Sequence, residues 1–189
     1  MPLSLAVTRK PLHTRKLIIQ GYHRDDGLLE IEGHLIDTKP FDIPNNDRGG
    51  QIRAGESLHE MWVRLTLDLD LRIVDAEAVT EWAPFDHCQG GTRSFRNLIG
   101  HKIGPGWSKR VRAILGGNRG CTHITEMLAQ IATTAIQTLN SLQNHGQSKN
   151  DKQGKPVLLD SCYGLASNGP VVAREWPEFH RPEVEEKAS

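Results

Sequence analysis

Hydrophobic and polar residues alternate through the first half of the chain with the two-residue period of half-buried β-strands. The clearest run is Leu28–Asp37, where the odd positions from 29 to 35 are non-polar and the even positions 30, 32 and 34 are polar. Its predicted core-facing residues are Leu29, Ile31, Gly33 and Leu35. An Asp-Gly turn at residues 26–27 joins this run to a shorter apolar one, Arg15–His23, which predicts a hairpin.

A second strand pair is predicted over residues 59–83, with a bend at 70–75. After Pro84 the period becomes helical. Short helices are predicted at 92–100, with Phe95, Leu98 and Ile99 facing the core, and at 107–115. A long helix begins with Thr122 as its N-cap. Strands followed by helices predict an α+β fold, with an antiparallel β-sheet in the N-terminal half packed against C-terminal α-helices.

The 189 residues suffice for one core. We therefore predict a flexible lead-in at 1–14, a single α+β domain at 15–180 with a polar loop at 144–155, and a disordered acidic tail at 181–189. The turn-rich segment 44–57 is predicted to be a surface loop.

Charge and motifs narrow the functional classes. Acidic and basic residues balance at 23 each, so we expect neither a nucleic-acid nor a membrane partner. Three widely spaced cysteines predict reduced thiols in a cytoplasm. Neither a Walker pattern nor a Gly-x-Gly-x-x-Gly motif after a strand occurs, so no cofactor is expected. The expected partner is a small-molecule substrate. The oligomeric state is left open, and a homo-oligomer is possible.

The most reactive residue pair in the sequence is Cys121 and His123, at the head of the long predicted helix. The positive end of a helix dipole polarises a thiol or an imidazole, which could then act as nucleophile, general acid or metal ligand. The alternative is a buried small cysteine beside a histidine that caps the helix. Cys121 falls on the same helical stripe as Ile124 and Leu128, which favours the histidine as the active group.

Three further residues are candidates on the strands. His59 begins a predicted core-facing row that includes Met61 and extends to Leu69, so it is either a satisfied core histidine or a general base. His34 and Asp37 are three residues apart, so on a regular strand their side chains lie on opposite faces. They share a site only if Gly33 forms a bulge.

Arg64 is a candidate for binding a substrate carboxylate in fork geometry. A different hypothesis is a metal- or sulfur-handling site formed by four residues without the usual zinc-site spacing. Those residues are Cys88, Cys121, His123 and Cys162.

Four motifs together resemble a bacterial family of unknown function, domain-of-unknown-function family 2889, over roughly residues 12–180. They are Arg24-Asp-Asp-Gly27, Glu32-Gly-His-Leu-Ile-Asp-Thr-Lys39, His59-Glu-Met61 with Arg64-Leu-Thr66, and Gly120-Cys-Thr-His123. The resemblance implies an association with bacterial catabolism of aromatic compounds, including lignin-derived aromatics, but no mechanism.

The resulting functional prediction is an acid–base enzyme without a nucleotide cofactor. It is a lyase, a decarboxylase or a formaldehyde-releasing enzyme, acting on an aromatic or phenolic acid. His59 and His123 move protons, Asp37 orients one of them, and Cys121 polarises or lines the pocket. Arg64 and His34 are the predicted substrate-binding residues.

Overall fold

A computed structural model of the chain describes residues 3–144 and 154–182. Backbone contacts divide the chain into two compact units, Met1–Leu139 and Asn140–Ser189. Most of the predicted polar loop and of the predicted acidic tail lies outside the described residues. The division into a lead-in, one domain and a tail stays a prediction. Residues 4–13 have no helix or strand.

The described residues of the first unit form six strands. In chain order they are β1 (Thr14–His23), β2 (Leu29–Thr38), β3 (Ile43–Asn45), β4 (Gly50–Ile52), β5 (Ser57–Leu67) and β6 (Ile73–Trp82). Four of them form an antiparallel sheet in the order β1-β2-β5-β6, and β3 pairs with β4 in a small hairpin. The sheet is followed by the helices α1 (Trp107–Leu115) and α2 (Thr122–Asn144), so the predicted α+β fold is confirmed.

The alternation on β2 gives the sheet one face toward the helices and one face away from them. Buried and half-buried residues alternate without a break from Leu29 to Thr38. The predicted inward residues are buried, and Asp37 continues their row as the last buried position. No bulge occurs at Gly33, because the register with β5 shifts only between Asp37 and Thr38. His34 and Asp37 therefore lie on opposite faces.

Helix α2 packs closely on β1 and β2 because glycines on the inner face leave room for it. A Cβ at Gly33 would be 3.2 Å from the side chain of Ile131, and one at Gly21 would overlap Thr138. Since α2 runs from His123 toward Thr138, its N-terminus reaches the Asp37 end of β2. The core also includes Trp107 of α1, whose indole N–H donates to the carbonyl of Leu128 at 3.0 Å.

Some local predictions differ from the structure. Segment 44–57 is more than a loop, since β3, a 3₁₀ turn at Asn46–Arg48 and β4 occupy it. Residues 92–100 do not form an α-helix. Instead 3₁₀ turns occur at Asp86–Thr92 and Phe95–Leu98, because the stretch between flanking glycines is too short to nucleate a longer helix.

Two residues predicted to face the core are exposed. Leu69 is 44% exposed because β5 already ends at Leu67 and a turn follows. Ile99 is 37% exposed, whereas Phe95 and Leu98 are buried as predicted. The helix start also differs by one residue, since Thr122 is the first helical residue and the carbonyl of Cys121 accepts from the amide of Thr125.

Within residues 154–182, the second unit has one short helix, α3 (Pro170–Glu175), between 3₁₀ turns at Tyr163–Leu165 and Pro177–Phe179. Val172 of α3 is fully buried.

Candidate functional site

Asp37 is a wholly buried carboxylate on the inner face of β2. The β1–β2 register places Arg15 directly opposite it. Arg15 donates from Nε to one carboxylate oxygen and from Nη2 to the other, each at 2.8 Å. This is the bidentate fork geometry of a strong arginine–carboxylate pair, and it offsets part of the cost of burying the charge.

Three histidines surround the same carboxylate. His59 lies opposite Asp37 on β5, and its Nδ1 is 3.1 Å from Oδ2 of Asp37. His123, in the first turn of α2, has its Nε2 3.8 Å from that oxygen. The Nε2 of His13, just before β1, is 3.2 Å from Oδ1. The rings of His59 and His123 face each other with centroids 4.0 Å apart. Three adjacent strand segments and one helix therefore meet at one carboxylate.

The electrostatics keep the carboxylate charged and two of the imidazoles neutral. Burial acts to raise the pKa of Asp37, but the hydrogen bonds and positive charge of Arg15 outweigh it, and the pKa is lowered. Burial lowers the pKa of His59, and the neighbouring His123 adds to the effect. Burial and then the charge of Arg15 lower the pKa of His123. Near pH 7 the cluster holds an aspartate and two neutral histidines, His59 and His123.

The partners of His59 determine its tautomer. An ionised carboxylate only accepts hydrogen bonds, so Nδ1 of His59 carries the proton and donates it to Asp37. Nε2 of His59 then has a free lone pair, and within the described residues it has no hydrogen-bond partner. An imidazole oriented in this way by a buried carboxylate is suited to accept a proton.

Cys121 extends the cluster toward a surface cleft. Its Sγ is 3.7 Å from Nδ1 of His123 and 3.8 Å from Sδ of Met61. The thiol is partly buried, as its helical stripe predicts. The cleft beside it has a volume of about 480 Å³. Residues from the segments 87–94 and 118–121 line this cleft, and Cys121 belongs to both the cleft and the cluster.

The structure brings together four of the six predicted site residues, Asp37, His59, Cys121 and His123. The other two lie on the outer face of the sheet. Arg64 pairs there with Glu32 at 2.6 Å and with two further glutamates.

His34, the second of these outer-face residues, contacts Glu60 at 2.9 Å and stacks on Trp62 with ring centroids 3.5 Å apart. Neither Arg64 nor His34 contacts the cluster. Their assignment as substrate-binding residues therefore has no geometric support from the cluster.

Arg15 and His13 are not among the site residues predicted from the sequence. The sequence does contain an indication of Arg15. It stands at an odd position, like Leu17 and Ile19, so on a regular strand this arginine lies on the same face as those apolar residues, the face that packs against a helix. A buried or half-buried arginine requires an anionic partner, and the hairpin register identifies Asp37 as that partner. His13 has the same parity but precedes the strand.

A divalent cation also fits the geometry of the cluster. Among residues 3–144 and 154–182, Asp37, His59 and His123 form the only group of at least three His, Cys, Asp or Glu residues whose ligand atoms lie within 4.8 Å of one another. Two histidines and one carboxylate are a common ligand set for zinc and for non-haem iron. Cys88 and Cys121 do not belong to such a group, and Cys162 lies in the second unit.

No helix in the described part of the chain has the length and apolar character needed to cross a bilayer. Comparisons with curated proteins and with solved structures gave no match. The sequence profile of a family described as "Protein of unknown function (DUF2889)" matches residues 13–137. This range contains every residue of the cluster and of the cleft, whereas the segment around Cys162 lies beyond it. Because the match covers about two thirds of the chain, the protein belongs to the DUF2889 family.

Proposed function

We propose that the protein is a small-molecule enzyme that uses acid–base chemistry at Asp37, His59 and His123. The observation that carries this proposal is the buried, ionised Asp37, which holds Nδ1 of His59 at 3.1 Å and leaves Nε2 open. His59 is the general base in this mechanism. Asp37 stabilises the imidazolium that forms, and Arg15 keeps Asp37 ionised, so that the aspartate does not itself take the proton.

His123 is the second proton-transfer group. Its ring lies 4.0 Å from that of His59 and remains partly open to solvent, with 26% of its side chain exposed. Two neutral imidazoles at this separation serve a reaction that removes one proton and returns another. Once His59 has accepted a proton it is an imidazolium, and this imidazolium is the acid that returns a proton to the substrate, directly or by passing it through the neutral ring of His123. Both imidazoles are then neutral again.

Among such reactions we favour a lyase that acts on an aromatic or phenolic acid. Release of formaldehyde from a hydroxymethyl group requires a base to take the hydroxyl proton while the carbon–carbon bond breaks. An acid then protonates the carbon that keeps the electron pair. Decarboxylation requires the same protonation of carbon after carbon dioxide leaves, and because the substrate releases no proton first, a histidine takes this proton from solvent and delivers it to the carbon. We place this activity in a bacterial cytoplasm, where the three unpaired cysteines would stay reduced.

A screen of aromatic acids by mass spectrometry, with and without enzyme, tests the activity. On any substrate that is turned over, His59→Ala and His123→Ala should each lower kcat/KM by at least about a hundredfold, the usual size of acid–base catalysis. His34→Ala is the matched control, since His34 also pairs with a carboxylate between β2 and β5 but lies on the outer face. Turnover near that of the wild type in both test variants would reject the assignment.

A metal centre at the same three residues is the second candidate function. Oδ2 of Asp37 is 3.1 Å from Nδ1 of His59 and 3.8 Å from Nε2 of His123. Ligands bound to one zinc ion at about 2.1 Å are separated by about 3.4 Å, so little movement is needed. His59 would then bind the ion through Nδ1 without a proton there, and Arg15 would orient the carboxylate from behind.

Titration calorimetry with Zn²⁺ and metal analysis of untagged protein separate the two candidates. A metal centre predicts one bound ion per chain, a loss of binding in His59→Ala and retention in His34→Ala. Activity that persists in chelator with no bound ion would reject the metal centre and leave the proton-transfer proposal in place.

A further inference from the structure

The cleft beside Cys121 has a positive lining. Two arginines, Arg93 and Arg119, and His87 line it, and no aspartate or glutamate does. Within the described residues neither arginine forms a salt bridge. Arg119 donates one Nη2 hydrogen bond to the carbonyl of Arg112 at 3.0 Å. Their charges are therefore available to an anion in the cleft.

The backbone of the cleft holds these charges close to Cys121. The amide of Cys121 donates to the carbonyl of Gly91 at 3.2 Å, which fixes the two lining segments to each other. A Cβ at Gly91 would be 3.0 Å from the Cβ of Cys121, so a larger residue would press on the thiol. A Cβ at Gly90 would be 3.6 Å from the guanidinium carbon of Arg93, which places this cation against the glycine pair.

The cleft meets the Asp37 cluster through a short path. Cys121 lines the cleft, and its Sγ is 3.7 Å from Nδ1 of His123. A volume of about 480 Å³ lies within the range of small-molecule sites. A ligand with an anionic group at the arginines would therefore extend toward the thiol and the imidazole. Arg64, in contrast, is neutralised by three glutamates on the outer face.

We infer that the cleft is the substrate subsite of this protein, and that Arg93 and Arg119 bind the carboxylate of a small organic acid whose reacting end lies at Cys121 and His123. This inference rests on the proposed function, because it assigns a substrate class to the same site. Arg93 and Arg119 take the carboxylate-binding role that the sequence suggested for Arg64. Cys121 is a lining residue whose thiol reports what enters the cleft.

The three free thiols allow a test that requires no turnover. The protein is alkylated with iodoacetate, which carries a carboxylate, or with neutral iodoacetamide, and each cysteine peptide is quantified by mass spectrometry. The ratio of the two rates cancels the intrinsic reactivity of each thiol. The exposed Cys162 is the internal reference. Attraction by the arginines should raise the iodoacetate-to-iodoacetamide ratio at Cys121 about tenfold above that at Cys162, the lower end of electrostatic steering.

The double variant Arg93→Gln with Arg119→Gln should lower the ratio at Cys121 to the value at Cys162. Arg96→Gln is the matched control, because Arg96 is an exposed arginine of the same region that pairs with Asp75 outside the cleft. It should keep the wild-type ratio.

A second arm uses the wild-type protein alone. Benzoate should protect Cys121 from iodoacetamide, and uncharged benzamide should not. The inference would be overturned by equal iodoacetate-to-iodoacetamide ratios at Cys121 and Cys162, or by an unchanged ratio in the double variant. It would also be overturned if Cys121 did not react, or if benzamide protected it as well as benzoate. None of these results depends on His59, so failure here is distinguishable from failure of the acid–base proposal.

Discussion

Strands β2 and β5 carry two histidine–carboxylate pairs, one on each face of the sheet. On the inner face, Nδ1 of His59 is 3.1 Å from Asp37, and on the outer face Nε2 of His34 is 2.9 Å from Glu60. The two contacts are nearly equal in length. Their surroundings differ, since Asp37 has a side-chain exposure of 1% and Glu60 one of 18%. The His–carboxylate distance alone therefore does not distinguish the buried pair from the surface pair.

The difference between the pairs lies in what else reaches each carboxylate. Asp37 also binds Arg15 and approaches His13 and His123, whereas the further hydrogen-bond partner of Glu60 is Ser57. Because Asp37 is buried, the loss of any of its hydrogen-bond partners costs free energy, whereas water can replace a lost partner of Glu60 on the outer face. The same chemical groups therefore form an electrostatic centre on one face and a surface contact on the other.

Removing each carboxylate should give the largest contrast between the two faces. Asp37→Asn removes the anion that Arg15 holds at 2.8 Å, leaves it, among the described residues, only the exposed contact with Glu126 at 3.4 Å, and places a polar amide in a dry site. We therefore expect a loss of about 2–3 kcal/mol in the free energy of unfolding. Glu60→Gln should cost about 0.5 kcal/mol or less. Urea unfolding followed by tryptophan fluorescence measures both. Equal losses would mean that the two faces do not differ as the geometry indicates.

Asp37 should also contribute to the fall in the free energy of unfolding at low pH. Because its folded-state pKa is lowered, its contribution is complete above the unfolded-state pKa of about 3.9 and is lost as the pH falls through the folded-state pKa. Asp37→Asn should therefore flatten the fall in stability at low pH. An acid limb as steep as that of the wild type would contradict this assignment.

Replacing an arginine on each face should give a smaller contrast. Arg15→Gln removes the main influence that lowers the pKa of Asp37, so burial should then raise that pKa. We expect a cost of about 1 kcal/mol at neutral pH, since the Arg15 side chain is 36% exposed. Arg64→Gln should leave the pKa of Asp37 unchanged. Carboxyl-carbon NMR titration of both variants measures this pKa, and an equal shift in the two would contradict the separation of the faces.

The histidines should produce the smallest effect on stability. The folded-state pKa values of His59 and His123 are lowered, so their contribution is complete above the unfolded-state pKa of about 6.5 and is lost as the pH falls through the folded-state values. The free energy of unfolding of the wild type should therefore be lower at about pH 5.5 than at about pH 7.5. The double variant His59→Ala with His123→Ala should show a smaller difference between these two pH values. His34→Ala should keep the wild-type difference, and a reduction of the same size there would contradict the sign.

Much of the scaffold could be predicted because its signals are local. Alternation along β2 determined which of its residues are inward, and the spacing of apolar residues located α2. The sequence indicated His59 and His123 as the proton-transfer residues, with Asp37 orienting one of them, but which histidine lies opposite Asp37 depends on the β2–β5 register.

The remaining features depend on register and packing, which the sequence pattern does not specify. Arg15 reaches Asp37 only through the register of the first hairpin. The cleft depends on how the segment around Gly91 packs against Cys121, a contact between positions 30 residues apart. Arg64 was predicted to bind a carboxylate, but glutamates directly opposite it on both neighbouring strands neutralise it, and these pairings also depend on strand register.

The distribution of the Asp37 contacts along the chain has a consequence for folding kinetics. Its partners come from positions 13, 15, 59 and 123, so no local fragment contains the complete set. A collapsed intermediate in which β2 is covered before β1 or α2 docks would bury this carboxylate without its full set of partners. Such species are raised in free energy relative to the complete fold. Asp37 would then make folding more cooperative, because premature burial of β2 is penalised until the last partner is in place.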